Sequence, residues 1–169
     1  KVVKILSENK NLYFSMNVSN LTSLNHAWQK KAKKLITSDI GKRLTIEITE
    51  TGEMRDLQII EEFADYIRSL GCKVSVDDFG IGNTSFAALK VIKPDIIKID
   101  GSFIRDIDTN PKSRYFVSAI VKLAKDIGAK TVAEYVENPE VANVINILDV
   151  DFIQGNYISQ SLNYQPWML

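Results

Sequence analysis

Ser69-Leu70-Gly71-Cys72-Lys73-Val74-Ser75-Val76-Asp77-Asp78, residues 69 to 78, runs from the end of a helix through a glycine turn into a short apolar strand that closes on two carboxylates. Ahead of it, Asp56 to Leu70 is strongly amphipathic, with Leu57, Ile60, Phe63, Ala64, Ile67 and Leu70 at helical spacing. Gly71 can adopt the left-handed conformation just past the helix, and a short loop then enters Val74-Ser75-Val76. The same events recur at Asp126-Ile127-Gly128-Ala129-Lys130, which leads into Thr131-Val132-Ala133. A repeated helix-to-strand unit is what a βα fold is built from.

Outward from that stretch, six short apolar runs each close on a side chain able to bind a metal or move a proton. Tyr13-Phe14-Ser15-Met16 leads to Asn17, Leu44-Thr45-Ile46 to Glu47, and Val74-Ser75-Val76 to Asp77 and Asp78. Ile96-Ile97 leads to Lys98, Thr131-Val132-Ala133 to Glu134, and Phe152-Ile153 to Gln154. Helical segments separate the runs: Leu21 to Ile36, Asp56 to Leu70, a short helix through Leu89 capped by Thr84 or Ser85, Ser113 to Ile127, and Glu140 to Leu148. The lysines Lys30, Lys31, Lys33 and Lys34 read as a solvated face of the first of these. Pro94 sits where it can start a strand without breaking one.

Six parallel strands can form an open doubly wound sheet or part of a barrel. An open sheet places its ligand at one switch point, whereas a βα-barrel gathers its site at the C-terminal ends of its strands. A functional group at every strand end favours the barrel. The expectation is an α/β fold of the TIM-type (β/α)8 barrel class, with about six βα units present in one domain over residues 1–169.

Composition narrows the chemistry. The chain has 169 residues, 45% hydrophobic and 25% charged, as in a globular domain but well below the roughly 250 residues of a complete barrel. Its net charge of +0 gives no electrostatic footprint for bulk nucleic acid or an anionic membrane. No apolar stretch is long enough to span a bilayer. The single cysteine, Cys72, cannot form an internal disulfide and reads as a small core residue. The single histidine, His26, reads as helix surface. Zinc sites and thiol catalysis are thereby disfavoured, which leaves carboxylates, amides and lysine.

Alternation along the strands places Glu47 on one face with Thr45 and Thr49, and Lys98 with Asp100, while Ile46, Ile48, Ile97 and Ile99 point the other way. If the isoleucine faces pack on helices, the polar groups converge on a common axis. Buried carboxylates that face one another repel unless a cation compensates. Asn17, Glu47, Asp77 and Asp78 offer only oxygens, the ligand set of Mg²⁺ or Mn²⁺. The adjacent Asp77 and Asp78 suit two metals, one carboxylate bridging while its neighbour holds the second ion. An isolated Asp-Asp before Gly is usually a turn or cap. Phe79-Gly80-Ile81-Gly82-Asn83 lacks the lysine of a phosphate-binding P-loop. It is the joint occurrence at successive strand ends that carries the metal reading. An enolase-like barrel also explains Lys98 and the acids, but not the tandem Asp77-Asp78.

In these stretches the chain resembles the EAL domain family, bacterial phosphodiesterases of cyclic di-GMP. The matching segments are Met16-Asn17-Val18-Ser19, Glu47-Ile48-Thr49-Glu50, Asp77-Asp78-Phe79-Gly80-Ile81-Gly82, Ile97-Lys98-Ile99-Asp100, Ala133-Glu134-Tyr135-Val136-Glu137 and Gln154-Gly155, in family order. The resemblance implies that Asn17, Glu47, Asp77 and Asp78 ligate two Mg²⁺ or Mn²⁺ ions. It implies Lys98 near the attacking water and scissile phosphate, Glu134 as a base that assists metals or water, and Gln154 in the metal and water network. Glu50 and Glu137 would support the loop and the metal geometry from behind. Phe79, Gly80, Ile81 and Gly82 would belong to a mobile loop after Asp78, tied to metal occupancy and to homodimer contacts. The implied reaction cleaves cyclic di-GMP to pGpG in a bacterial, cytoplasmic signalling protein. Its parent is expected to carry sensory or GGDEF domains and is free to carry a membrane tether, with no membrane contact by this domain.

The chain also departs from the family pattern. The Glu-Ala-Leu signature and its metal-ligating glutamate would sit on a strand ahead of Lys1, so the expectation is an N-terminally truncated domain with the first two strands missing and with turnover severely impaired in isolation. Tyr135 stands where a glycine is usual, Ile81 where a threonine is common, and Gln160 or Ser161 where a proline is usual. The competing function is a non-hydrolysing EAL-like receptor for cyclic di-GMP, or a protein-interaction module.

Overall fold

The computed structural model describes residues 1–19, 22, 24–48, 57–81 and 86–161. Their contacts form two compact units, Lys1–Asp77 with Gly82–Asp95, and Asp78–Ile81 with Ile96–Leu169. Six parallel strands, three associated with each unit, alternate with helices, so the α/β class expected from the pattern is what forms.

In the first unit the order is β1 (Phe14–Val18), β2 (Leu44–Ile48) and β3 (Lys73–Phe79, whose last two residues pass into the second unit). Around them lie α1 (Val2–Glu8), α2 (His26–Leu35), α3 (Ser38–Gly41), α4 (Leu57–Ser69) and α5 (Phe86–Ile92). The core is the isoleucine face read from the sequence: Ile46 and Val74 are fully buried, and Ile48 and Val76 nearly so. Ile60, Phe63, Ala64 and Ile67 of α4 are buried as well, as the helical spacing requires. Cys72 is buried, and burial pushes its thiol up to about 11, so it stays protonated and is no nucleophile. His26 is exposed at the first position of α2.

That helix begins later than the expected Leu21. Asn25 stands outside it in extended backbone and its carboxamide accepts the Trp28 N–H at 3.0 Å. A capping asparagine must lie just outside the helix it starts, and this one sets the boundary.

Arg43 carries the tie between α1 and β2. It is 7% exposed, and its guanidinium donates to the carbonyls of Leu6 at 2.8 Å, Asn9 at 2.9 Å and Leu12 at 3.1 Å, and to the Asp39 carboxylate at 2.9 Å. Arg43→Ala leaves those acceptors without their donor, at about 1–3 kcal/mol for each group that stays buried. The expected loss of unfolding free energy is about 3 kcal/mol. A urea titration checks it, and an unchanged midpoint would show that Arg43 is a surface charge.

The second unit holds β4 (Ile96–Ile99), β5 (Lys130–Ala133) and β6 (Phe152–Ile153) in that order, with α6 (Gly101–Ile104), α7 (Pro111–Ile127) and α8 (Pro139–Ile147). Asn110 and Asn138 cap α7 and α8, each followed by a proline at the first turn. Gly71 and Gly128 end α4 and α7 at φ 80° and 78°, the two left-handed turns expected from the repeated sequence.

Each unit also repeats a device that pins the head of a strand. The Asp95 carboxylate accepts the Val74 N–H at 2.8 Å, and the Asp151 carboxylate accepts the Thr131 N–H at 2.9 Å. Burial alone would raise the Asp151 carboxyl, but hydrogen bonds from Lys130 and Thr131 outweigh it and hold the group below its usual value. Such a group contributes stability above the ordinary carboxylate range and loses it as pH falls through the lowered value.

Candidate functional site

Strand register in the first unit aligns the oxygen ligands read from the sequence. Asn17 lies beside Glu47, and Glu47 beside Ser75. Asp77 is two residues beyond Ser75 on β3, so Asn17, Glu47, Ser75 and Asp77 share one face. Glu47 and Asp77 are each 7% exposed, whereas Asn17 is exposed at β1. Ser75 is buried and its Oγ has no hydrogen-bond partner among the described residues. An orphaned hydroxyl oxygen costs about 1–3 kcal/mol, and here it shares a face with two buried carboxylates, Glu47 across from it and Asp77 two residues on. A donor set made only of oxygens fits a hard cation such as Mg²⁺ or Mn²⁺.

The second unit brings together the two candidate proton-moving groups, Lys98 and Glu134. Lys98 lies beside Val132 in the register, and Glu134 follows two residues on, so both side chains share a face. Lys98 Nζ meets Glu134 Oε1 at 2.8 Å, with side-chain exposures of 8% and 13%. Asp78 and Glu134 each offer a carboxylate oxygen within 4.8 Å of the other. Asp78 is exposed at the end of β3, next in the chain to Asp77, and takes φ 51°. Aspartate tolerates that left-handed backbone better than most residues other than glycine.

Beyond Asp78, Phe79 is buried, Gly80 turns at φ 107°, and Ile81 is 43% exposed with its N–H donating to the Asp78 carbonyl at 3.4 Å. Glu50, Gly82 and the expected caps Thr84 and Ser85 lie outside the described residues.

Gln154 follows β6 and its N–H donates to the Ala133 carbonyl at 2.8 Å, which sets it beside Glu134. Its side chain is exposed. A cleft of about 550 Å³ opens there, lined by Glu134, Tyr135, Glu137, Gln154 and Asn156 together with the segment Ser159 to Ser161. Glu137 is exposed and accepts the Asn156 amide at 3.0 Å. Gly155 is required by close approach: a Cβ there would stand 2.2 Å from the Val136 carbonyl oxygen.

Asp100 corrects one reading. Alternation set it on the Lys98 face, but its carboxylate accepts the Ser102 N–H at 2.7 Å and caps α6. The signal was present in Asp100-Gly101-Ser102, since a short acidic side chain before a helix turns back to a backbone N–H. Arg105, over the Tyr135 ring at 4.2 Å, and Asn156 carried no motif and were not foreseen.

The EAL domain model matches residues 1–161. The chain is 37% identical over 118 residues to the cyclic di-GMP phosphodiesterase PdeF of Escherichia coli, an alignment covering 70% of this chain and 16% of that protein. It is 34% identical over 152 residues to the cyclic di-GMP phosphodiesterase PdeA of Borreliella burgdorferi, covering 89% of this chain and 23% of that one. Among solved structures, the EAL domain protein from Listeria monocytogenes superposes with a TM-score of 0.84 at 31% identity, over 94% of this chain and 64% of the other. The chain belongs to the EAL domain family. It spans less than a quarter of the length of the two curated relatives. No helix among the described residues is long and apolar enough to cross a membrane.

Proposed function

We propose that the protein containing this chain hydrolyses cyclic di-GMP to pGpG with Mg²⁺ or Mn²⁺. The observation that carries this is the ion pair of buried Lys98 with partly buried Glu134, with Glu134 in carboxylate reach of Asp78, in a chain whose named relatives are cyclic di-GMP phosphodiesterases. Asn17, Glu47, Asp77 and Asp78 are the proposed metal ligands. When bound, the ions would polarise the phosphodiester and lower the pKa of the attacking water.

The chain's own side chains do the rest. Lys98 sets a positive charge against the phosphate oxygens, where negative charge grows as the bond to the leaving oxygen breaks. Glu134, held at 2.8 Å by Lys98, accepts the proton that the attacking water releases. Gln154 orders water at the cleft, and Glu137 steadies the turn through Asn156. Glu50 is assigned a supporting role, and the loop from Phe79 to Gly82 is the proposed homodimer contact.

The test is product analysis. Intact protein incubated with cyclic di-GMP and Mn²⁺ is expected to release pGpG, and a chelator to stop it. Binding of the dinucleotide with no product under saturating Mn²⁺ would make the protein a receptor instead.

A further inference from the structure

We propose that Tyr135 is the platform on which a purine base of the dinucleotide stacks, a subsite this chain builds at the mouth of its β5–β6 cleft. The inference rests on the cyclic di-GMP reading and adds a residue to it.

The backbone is the first observation. Tyr135 takes φ 57°, which is strained for a residue with a Cβ and which glycine would adopt freely. A bulky aromatic at such a position needs a compensating gain. Core burial is not that gain, because the residue is 49% exposed.

The ring is nonetheless fixed. The Arg105 guanidinium lies 4.2 Å from its centroid. Gly101 lets the ring lie against the start of α6, where a Cβ would come within 2.4 Å of Tyr135 Cδ2. An aromatic ring held in place while half open is a preorganised binding surface, since little side-chain entropy remains to be lost.

The surroundings match a nucleobase. Tyr135 lines the 550 Å³ cleft with Glu134, Glu137, Gln154 and Asn156. Carboxylates accept from the ring N–H and amino groups of a purine edge, and the amides of Gln154 and Asn156 both donate and accept. Stacking a base on an aromatic side chain strengthens binding about tenfold or more. The platform therefore sets affinity for the base, and the phosphodiester chemistry stays with Lys98 and Glu134.

The test measures cyclic di-GMP binding by calorimetry on the intact protein, with chelator present so that no turnover occurs. Tyr135→Phe is expected to bind within about twofold of the unsubstituted protein, and Tyr135→Gly about tenfold or more weakly. Glycine accepts φ 57° without strain, so Tyr135→Gly keeps the backbone, and a thermal melt checks that it does. Equal binding by the unsubstituted protein and Tyr135→Gly overturns the platform and leaves the function standing. An equal loss in Tyr135→Phe and Tyr135→Gly overturns stacking in favour of the hydroxyl. No binding by the unsubstituted protein overturns the cyclic di-GMP reading and the platform with it.

Discussion

Changing Lys98 to methionine in the intact protein is expected to cut the rate of cyclic di-GMP cleavage at saturating substrate by about 10²-fold or more. Lys98 is 6% exposed on β4, between Ile97 and Ile99, which are fully buried. An ammonium there persists because Glu134 stands 2.8 Å from it. Methionine keeps the length of the stem and most of the packing, so the change removes the charge and little else. It also removes the Lys98 partner of the Glu134 carboxylate, and breaking a largely buried pair on one side destabilises, by about 3–5 kcal/mol where burial is complete. A fall in activity through unfolding therefore has to be separated from a fall through lost chemistry. The double variant Lys98→Met with Glu134→Gln does so. Both charges are gone, stability is expected to recover in large part, and turnover is expected to stay at the level of Lys98→Met. A Lys98→Met enzyme within about threefold of the unsubstituted rate would remove Lys98 from the reaction.

The pairing behind that experiment shows what the sequence could and could not reveal. The strands and their two faces follow from nearest neighbours along the chain. Alternation puts Ile46 and Ile48 on one side and Glu47 on the other, and burial agrees. The left-handed turns at Gly71 and Gly128 are equally local, because a residue without a Cβ marks them.

What depends on register between strands was not legible. Lys98 meets Glu134 only because β4 and β5 align Lys98 with Val132, and no motif spans that distance in the chain. Arg43 carries no motif in the sequence, and only the fold brings the carbonyls of Leu6, Asn9 and Leu12 to it. Asp100 was misplaced for the opposite reason: alternation was extended one residue past the strand, where a backbone N–H at Ser102 competes for the carboxylate. Tyr135 was visible as a departure from the family pattern, but its left-handed backbone and its Arg105 neighbour belong to the structure alone.

Millimolar Mn²⁺ is expected to raise the melting temperature of the protein by about 5–10 °C, and Asp77→Ala to abolish both that shift and turnover. The reasoning starts from β2 and β3. Glu47 and Asp77 are each 7% exposed and stand on one face with Ser75, which is in register with Glu47 and whose hydroxyl has no hydrogen-bond partner among the described residues. A cation bound only by the folded chain stabilises it by RT ln(1 + [L]/Kd), which is about 2.7 kcal/mol when the ion is present at one hundred times its dissociation constant. For a domain of this size each kcal/mol is about 2–4 °C. Alanine at 77 removes one of the two buried carboxylates of that face, so affinity and shift fall together. Asp65→Ala is the control, since that carboxylate is 71% exposed on α4 and should leave the Mn²⁺ shift intact. If Asp77→Ala retains the full shift, the ion sits elsewhere and the oxygen face of β1 to β3 is not its site. If Asp77→Ala loses the shift yet keeps turnover, the ion serves stability and the cleavage chemistry needs another source of charge.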